Sequence, residues 1–191
     1  MKVSLELERY VGAFFPLPSA VALITTVSPS GVVNVAPKTQ VMPVGRHNYW
    51  GFACCKQHHT YTNVVEQGEF VVNMPGLELI GKISDASQEF PEGTDELAAI
   101  GLCRFPSLQV RVPSITECGV HIECVRHTVL DAFGGDSLII GRVVAARVDS
   151  ELMLAPQHTM SKKPLLVYVH PNHYTIIRDF APFAFPPNYK P

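Results

Sequence analysis

Residues 20–27 read AVALITTV, and the turn sequence Ser28-Pro29-Ser30-Gly31 follows them directly. A second short apolar run, Val32–Val35, continues after the turn. Apolar and β-branched stretches of this length, separated by Ser, Pro and Gly, are typical of two strands joined by a tight turn. The pattern therefore predicts a β-hairpin over residues 20–35.

Stretches of the same kind recur along the rest of the chain. The further strands that the pattern predicts are Tyr49–Cys55, Glu69–Asn73, His121–Leu130, Ser137–Val148, Leu165–Val169 and Tyr174–Ile177. Gly134-Gly135-Asp136 is the hairpin signal between the two longest of them. About eight strands with turn signals between most neighbours favour an antiparallel barrel over a doubly wound sheet.

Short helices are expected singly between these strands. The predicted helices are Leu5–Phe14 before Pro16, Thr60–Gln67 ending at Gly68, Leu77–Ser87, and Thr94–Ile100 with Thr94 as the N-cap. The chain is interpreted as one domain, 1–191, and its Pro- and Phe-rich end, 180–191, as an arm. That arm is either docked on a partner subunit or loosely ordered.

The composition is poor in charge. Of 191 residues, 47% are hydrophobic and 17% are charged, with a net charge of -2, whereas about a quarter of an average soluble domain is charged. No basic field exists to bind nucleic acid, and part of the surface is expected to be hidden. A membrane is excluded as the cover, because Pro16, Pro18 and Pro29 interrupt the charge-free stretch Tyr10–Pro37.

The cysteines and the N-terminus indicate the compartment. Glu6, Glu8 and Arg9 lie where a signal peptide would be apolar. The five cysteines are an odd number and contain no C-x-x-C pair, which favours reduced thiols over a disulfide framework. The predicted location is the cytoplasm.

The densest polar cluster is Lys56-Gln57-His58-His59-Thr60-Tyr61-Thr62-Asn63, at the junction of a predicted strand and a helix. Free N–H groups, the helix dipole, hydroxyls and cations are the parts of an anion site, with phosphate as the natural ligand. Alternatively, Thr60 and Thr62 only cap the helix. A metal site that includes Cys54 and Cys55 is disfavoured, because adjacent strand residues point to opposite faces. No metal is predicted.

A second candidate is Asn34-Val35-Ala36-Pro37-Lys38-Thr39, where Pro37 is expected to break the strand. Such a break is often an edge or a bulge where a ligand meets the main chain, although a plain edge strand is an equal alternative. The sequence contains no G-x-G-x-x-G, P-loop, H-E-x-x-H or G-x-S-x-G motif.

In their order and spacing, these segments resemble the flavin reductase family. The resemblance extends from Pro18–Thr26 through N-x-A-P-x-T at Asn34–Thr39, the segment His58–Asn63 and the G-E-F-V-V-N stretch at Gly68–Asn73. It continues at Gly141–Val144 and at Lys163–Leu166 with His170 and Tyr174. It implies a mainly β fold, an antiparallel Greek-key split β-barrel of the FMN-binding type with a few inserted short helices.

The resemblance also implies the site. The implied cofactor-binding residues are Asn34, Ala36, Pro37, Lys38, Thr39, Cys54, Cys55, Lys56, His58, Thr60, Thr62 and Asn63, and His170 and Cys54 are placed beside the reacting edge of the flavin. Relatives often carry a fixed cation at the position of His58. Because a neutral imidazole binds phosphate less firmly, FMN affinity is expected to weaken as the pH rises past about 7.

The function that the resemblance implies is an NAD(P)H-dependent flavin reductase with bound FMN and NADH or NADPH as hydride donor. Two alternatives stay open: a flavoredoxin-like electron carrier that acts with protein partners, and a non-catalytic flavin-binding module. A homodimer is expected to hide the uncharged surface, and a monooxygenase or electron-transfer protein is a candidate partner. No nucleic acid or membrane partner is expected.

Overall fold

The computed structural model describes residue 4 and residues 15–152, 165–170 and 172–177, and strands dominate it. The strands are β1 (Pro18–Ala20), β2 (Ala22–Val27), β3 (Val33–Lys38), β4 (Val41–Pro43), β5 (Tyr49–Cys55), β6 (Glu69–Met74), β7 (Arg104–Phe105), β8 (Ser114–Ile115), β9 (Val120–Phe133), β10 (Asp136–Val148), β11 (Leu166–Val169) and β12 (His173–Ile176). The helices are α1 (His59–Gln67), α2 (Ile80–Asp85) and α3 (Glu96–Ala99), with a 3₁₀ turn at Leu77–Leu79.

Seven of the strands form one curled antiparallel sheet, in the order β3-β2-β6-β9-β10-β5-β4. Its two edge strands, β3 and β4, are consecutive in the chain, and only residues 39–40 separate them. The edges therefore meet at one corner and leave the barrel split along the rest of its length. The predicted antiparallel split barrel with a few short helices is confirmed.

Both predicted hairpins are present. In the first, the N–H of Gly31 donates to the carbonyl oxygen of Ser28 at 2.9 Å, and Gly31 has a φ of 86°. In the second, Gly134 has a φ of 66° between the long strands β9 and β10. Glycine adopts these left-handed conformations without steric cost, so the two turns form where the sequence predicts them.

The expected break at Pro37 is wrong. β3 continues through Pro37 to Lys38, with Pro37 opposite Leu23 and Lys38 opposite Ala22 of β2. Proline is tolerated there because β3 is an edge strand. On the side without a neighbouring strand, the missing N–H of proline removes no hydrogen bond of the sheet.

Among the described residues, alternation along the strands builds two large cores. Ile24, Phe70 and Val72 point into the barrel, where the rings of Phe52 and Phe70 meet edge to face at 5.2 Å. A Cβ added to Gly141 would clash with the Phe70 ring, so only glycine fits beneath that ring. Leu23 points to the opposite face of β2, where the second core lies under α2 and α3.

The helices follow the prediction with one correction. α1 ends at Gly68, which has a φ of 73° and whose N–H bonds to the carbonyl of Val64. The cap of α3 is Asp95 rather than Thr94, because the Asp95 carboxylate accepts the N–H of Ala98 at 3.1 Å. The helix predicted at Leu5–Phe14 and the arm at 180–191 lie outside the described residues.

Four short strands had no sequence signal, namely β1, β4, β7 and β8. β1 pairs with β11, and β11 with β12, in a separate three-stranded sheet, while β7 pairs with β8. β4 is the fourth, at the edge of the large sheet. Strands of two or three residues are too short for an alternating pattern to predict.

Candidate functional site

The start of α1 is open to an anion. α1 begins at His59, a few residues after β5 ends, and its N-cap His58 makes no side-chain capping bond. The first turn contains no acidic residue. Unbonded N–H groups of a first turn and the positive end of the helix dipole attract negative charge.

A cation reaches this helix terminus from a different strand. Lys38, the last residue of β3, is 9% exposed, and its Nζ lies 3.3 Å from Nδ1 of His58. The ammonium donates this bond, because it has no acceptor. A fixed cation therefore lies beside His58, although none is present at position 58 itself.

The environment of His58 changes the expected pH dependence. Burial and, second, the charge of Lys38 lower the pKa of His58 below its ordinary value. His58 is therefore neutral at pH 7, and the loss of affinity predicted from its titration moves to lower pH. Above pH 7, Lys38 rather than His58 carries the charge.

Cys54 and Cys55 lie at the end of β5, next to this cluster. Cys54 is buried, and burial raises the pKa of its thiol, opposed in part by Lys38. A protonated thiol is a weak nucleophile, so Cys54 has the character of a core residue. Cys55 is half-buried and lies opposite Asp136 of β10.

Two of the predicted phosphate ligands, Thr60 and Asn63, bond to the barrel strands instead of facing outward. Asn34 Nδ2 donates to Thr60 Oγ1 at 3.4 Å, and Asn63 Nδ2 donates to Thr26 Oγ1 at 3.0 Å. All four residues are buried. Asn34 thus braces α1 against β3, while Thr62 is exposed and free to meet a ligand.

Lys56 is also engaged elsewhere. Its Nζ donates to the carbonyl oxygens of Asp131 and Gly134, both at 3.1 Å. The Tyr61 hydroxyl donates to the Asp131 carboxylate at 3.2 Å. These bonds fasten the end of the β9–β10 hairpin to the β5–α1 junction, and the sequence gives no sign of them.

Ala36 and Pro37 on the edge strand β3, and Thr39 just after its end, are half-buried. One edge donor there is already satisfied, since the N–H of Val35 bonds to Glu96 Oε2 at 3.0 Å. Glu96 has no signal in the sequence, because a single acidic residue in a short helix carries no pattern.

His170 follows β11 in the three-stranded sheet. Its N–H donates to the carbonyl of Leu17 at 3.1 Å, and its ring packs edge to face on Tyr168 at 5.6 Å. Cys54 lies in the seven-stranded sheet, so the two residues predicted beside the flavin's reacting edge belong to different sheets.

A groove of about 300 Å³ lies at the opposite end of α1, between the β2–β3 turn and residues 111–113. Arg104 and Arg111 line it, and each is ion-paired, with Asp95 and Glu69 respectively.

Within the described part of the chain, no helix is long and apolar enough to cross a membrane. The described residues also contain no group of three or more His, Cys, Asp or Glu side chains that could hold a metal ion.

The sequence is similar to that of known proteins over most of its length. Residues 14–176 match the protein family described as "Flavin reductase like domain". An uncharacterized protein of Methanothermobacter thermautotrophicus is 35% identical over 144 residues, which make up 73% of this chain and 67% of that protein.

Solved structures share the fold at low sequence identity. Nitrilotriacetate monooxygenase component B from Bacillus cereus has a TM-score of 0.85 at 21% identity, covering 96% of this chain and 99% of that one. Flavoredoxin of Desulfovibrio vulgaris has a TM-score of 0.81 at 18% identity, covering 96% and 98%. An FMN-binding protein from Thermus thermophilus has a TM-score of 0.79 at 19% identity, covering 95% and 100%.

Proposed function

The chain belongs to the flavin reductase-like domain family and is therefore a flavin-related oxidoreductase, and we propose that it binds FMN where the end of β3 meets the start of α1, beside Lys38 and His58. We further propose that it reduces this flavin with NADH or NADPH. The cytoplasm is the expected compartment.

The observation that carries the proposal is the placement of Lys38 at the start of α1. Its ammonium lies 3.3 Å from Nδ1 of His58, the N-cap residue, and this first turn has neither an acidic residue nor a side-chain cap. A cation, free N–H groups and a helix dipole together fit a phosphate. The FMN phosphate would be held there by Lys38, the N–H groups of His59 and Thr60, and the hydroxyl of Thr62.

The edge of β3 is the proposed contact for the flavin ring. Ala36, Pro37 and Thr39 are half-buried and open on the side away from β2. Pro37 has no N–H to donate, so the main chain there offers a carbonyl oxygen. Asn34 of the same strand stabilises this contact, because its side-chain amide donates a hydrogen bond to Thr60 of α1.

Bound FMN would supply the hydride acceptor, as flavin cofactors do. The chain's own part is to bind and orient the cofactor. Lys38 and the first turn of α1 would fix the phosphate end, while the edge of β3 would fix the ring. The electron acceptor is proposed to be free flavin or a partner monooxygenase, an assignment supported by the likeness to a monooxygenase component B.

An electron carrier is the second candidate. The similarity of the fold to a flavoredoxin favours it. A carrier would keep FMN bound and exchange electrons with a protein partner, without productive binding of NADH or NADPH. A non-catalytic module would bind flavin and show neither activity.

Anaerobic absorption spectroscopy distinguishes these functions. The purified chain is mixed with FMN, and NADH and then NADPH are added in separate titrations. Spectral perturbation of FMN followed by bleaching of its visible band supports the reductase. Bleaching by a reduced protein donor, and not by NADH or NADPH, assigns the carrier. No bleaching by any of these donors leaves a binding module. No perturbation of the FMN spectrum overturns all three candidate functions.

Matched lysine variants locate the site. Lys38→Met removes the cation at α1, so the FMN dissociation constant is expected to rise about tenfold, the scale of one charge-assisted bond. Lys56→Met removes a cation that is bonded to hairpin carbonyls, and the dissociation constant should change little. Equal effects of the two substitutions would contradict the placement of the phosphate beside Lys38.

A further inference from the structure

Glu96 is an acidic side chain withdrawn from water. It is the first residue of α3 and is 8% exposed. Burying a carboxylate is costly unless its oxygens are bonded. Both are engaged, since Oε2 accepts the N–H of Val35 at 3.0 Å and Oε1 lies 3.4 Å from Nδ1 of His59.

These two partners belong to the two halves of the proposed flavin site. Val35 lies on the edge strand β3, directly before Ala36, and His59 is the first residue of α1. Glu96 is distant from both in sequence, by 61 and 37 residues respectively. One carboxylate therefore fixes the strand edge and the helix terminus relative to each other.

The contact also sets the orientation of the imidazole. A carboxylate at Nδ1 favours the tautomer with hydrogen on that nitrogen, and the ring is held with Nε2 directed away from Glu96. The His59 side chain is 52% exposed, whereas that of Glu96 is 10% exposed. The accessible side of the pair is therefore the imidazole, in the first turn of α1.

We propose that Glu96 is a positioning residue for the phosphate of FMN, acting through His59. It holds the imidazole in the first turn of α1 and keeps that turn in register with the edge of β3. This inference rests on the proposed flavin function and adds a residue from outside both segments of the predicted site. A purely structural role, satisfying the edge N–H of Val35, is the competing explanation.

Riboflavin separates the two explanations, because it has the ring of FMN and lacks the phosphate. The dissociation constants of FMN and riboflavin are measured by fluorescence quenching for the wild type, Glu96→Gln and the control Glu92→Gln. Glutamine keeps an amide oxygen for the N–H of Val35 and loses the charge that holds His59. Glu92 is an exposed carboxylate of the same segment.

The expected result is specific to the phosphate. In Glu96→Gln the preference for FMN over riboflavin should fall about five- to tenfold, the range of one charge-assisted bond, with the riboflavin constant unchanged. Glu92→Gln should keep the wild-type preference. An unchanged or increased preference, or a parallel loss of both flavins, overturns the inference.

His59→Gln provides an independent variant at an exposed position. It should lower the preference as much as Glu96→Gln, and the double variant should lower it no further; additive losses would overturn the coupling of the two residues. The proposed function is tested first in the wild type. If the wild type binds neither flavin, or binds both equally, the phosphate site itself is refuted before any variant is compared.

Discussion

Lys38 illustrates how one residue acquires its role from a distant part of the chain. In the sequence it belongs to the segment Asn34–Thr39, beyond the expected break at Pro37, and its backbone is predicted to meet the flavin. In the structure its ammonium crosses to the N-cap of α1, 3.3 Å from Nδ1 of His58. A cation from β3 thus lies beside the N-cap of α1, and its charge contributes to the lowered pKa of His58.

Two histidines predict how stability depends on pH. Burial lowers the pKa of His58 and of His121, so the unfolded chain takes up protons before the folded chain does. The free energy of unfolding is therefore expected to fall as the pH drops below about 6.5, the ordinary histidine value. Urea unfolding at pH 7.5 and 5.5 measures this change.

Substitution of one histidine assigns the effect. His121 is buried, and its Nε2 donates to the carbonyl of Ile115 at 2.7 Å. His121→Gln keeps a donor and cannot titrate, so its stability should depend less steeply on pH than that of the wild type. The exposed His47, replaced in the same way, is the control. An equally steep dependence in His121→Gln would rule out a contribution from His121.

At the scale of elements, α1 is fastened to the barrel by polar side chains as well as by packing. Thr60, Asn63 and Val64 are buried on one side of the helix, at the i, i+3 and i+4 spacing. Thr60 and Asn63 bond to Asn34 and Thr26. Polar residues at these positions suggest ligand contacts in a sequence, and only the packing shows that they face inward.

Removal of one of these bonds should loosen α1. Asn63→Ala leaves the hydroxyl of Thr26 buried without its donor, which is expected to cost about 1–3 kcal/mol of unfolding free energy. The exposed Glu66 lies on the same helix, and Glu66→Ala should change stability by less than about 0.5 kcal/mol. Chemical denaturation measures both, and equal losses would contradict the anchoring role of Asn63.

At the scale of the whole molecule, the described surface carries large apolar side chains. Leu108 is 58% exposed, Phe133 at the end of the β9–β10 hairpin is 56% exposed, and Met42 on the edge strand β4 is 49% exposed. Exposed groups of this kind agree with the low charged fraction of 17%. Both features favour a protein that hides part of its surface against a second copy.

The expected assembly is a homodimer. One chain has a mass of 21.0 kDa, so light scattering coupled to size exclusion should give about twice that mass at micromolar concentration. If FMN can bind to the dimer, the measured mass should stay at that of the dimer when FMN is added. A monodisperse species at the mass of one chain would refute the dimer and leave the exposed apolar residues without a partner.

The sequence by itself determined the eight longer strands, the turns and the place of α1. Strand alternation, the glycines at positions 31, 68 and 134, and the run of polar residues after β5 are local patterns, and local backbone preferences act on neighbouring residues. The strand pattern favoured an antiparallel barrel, and the resemblance to the flavin reductase family implied that this barrel is split. The tertiary structure decided how Lys38 meets His58 and how Glu96 joins Val35 to His59, because these contacts connect residues far apart in the chain. Sheet closure and side-chain packing create such contacts, and no local sequence pattern encodes them.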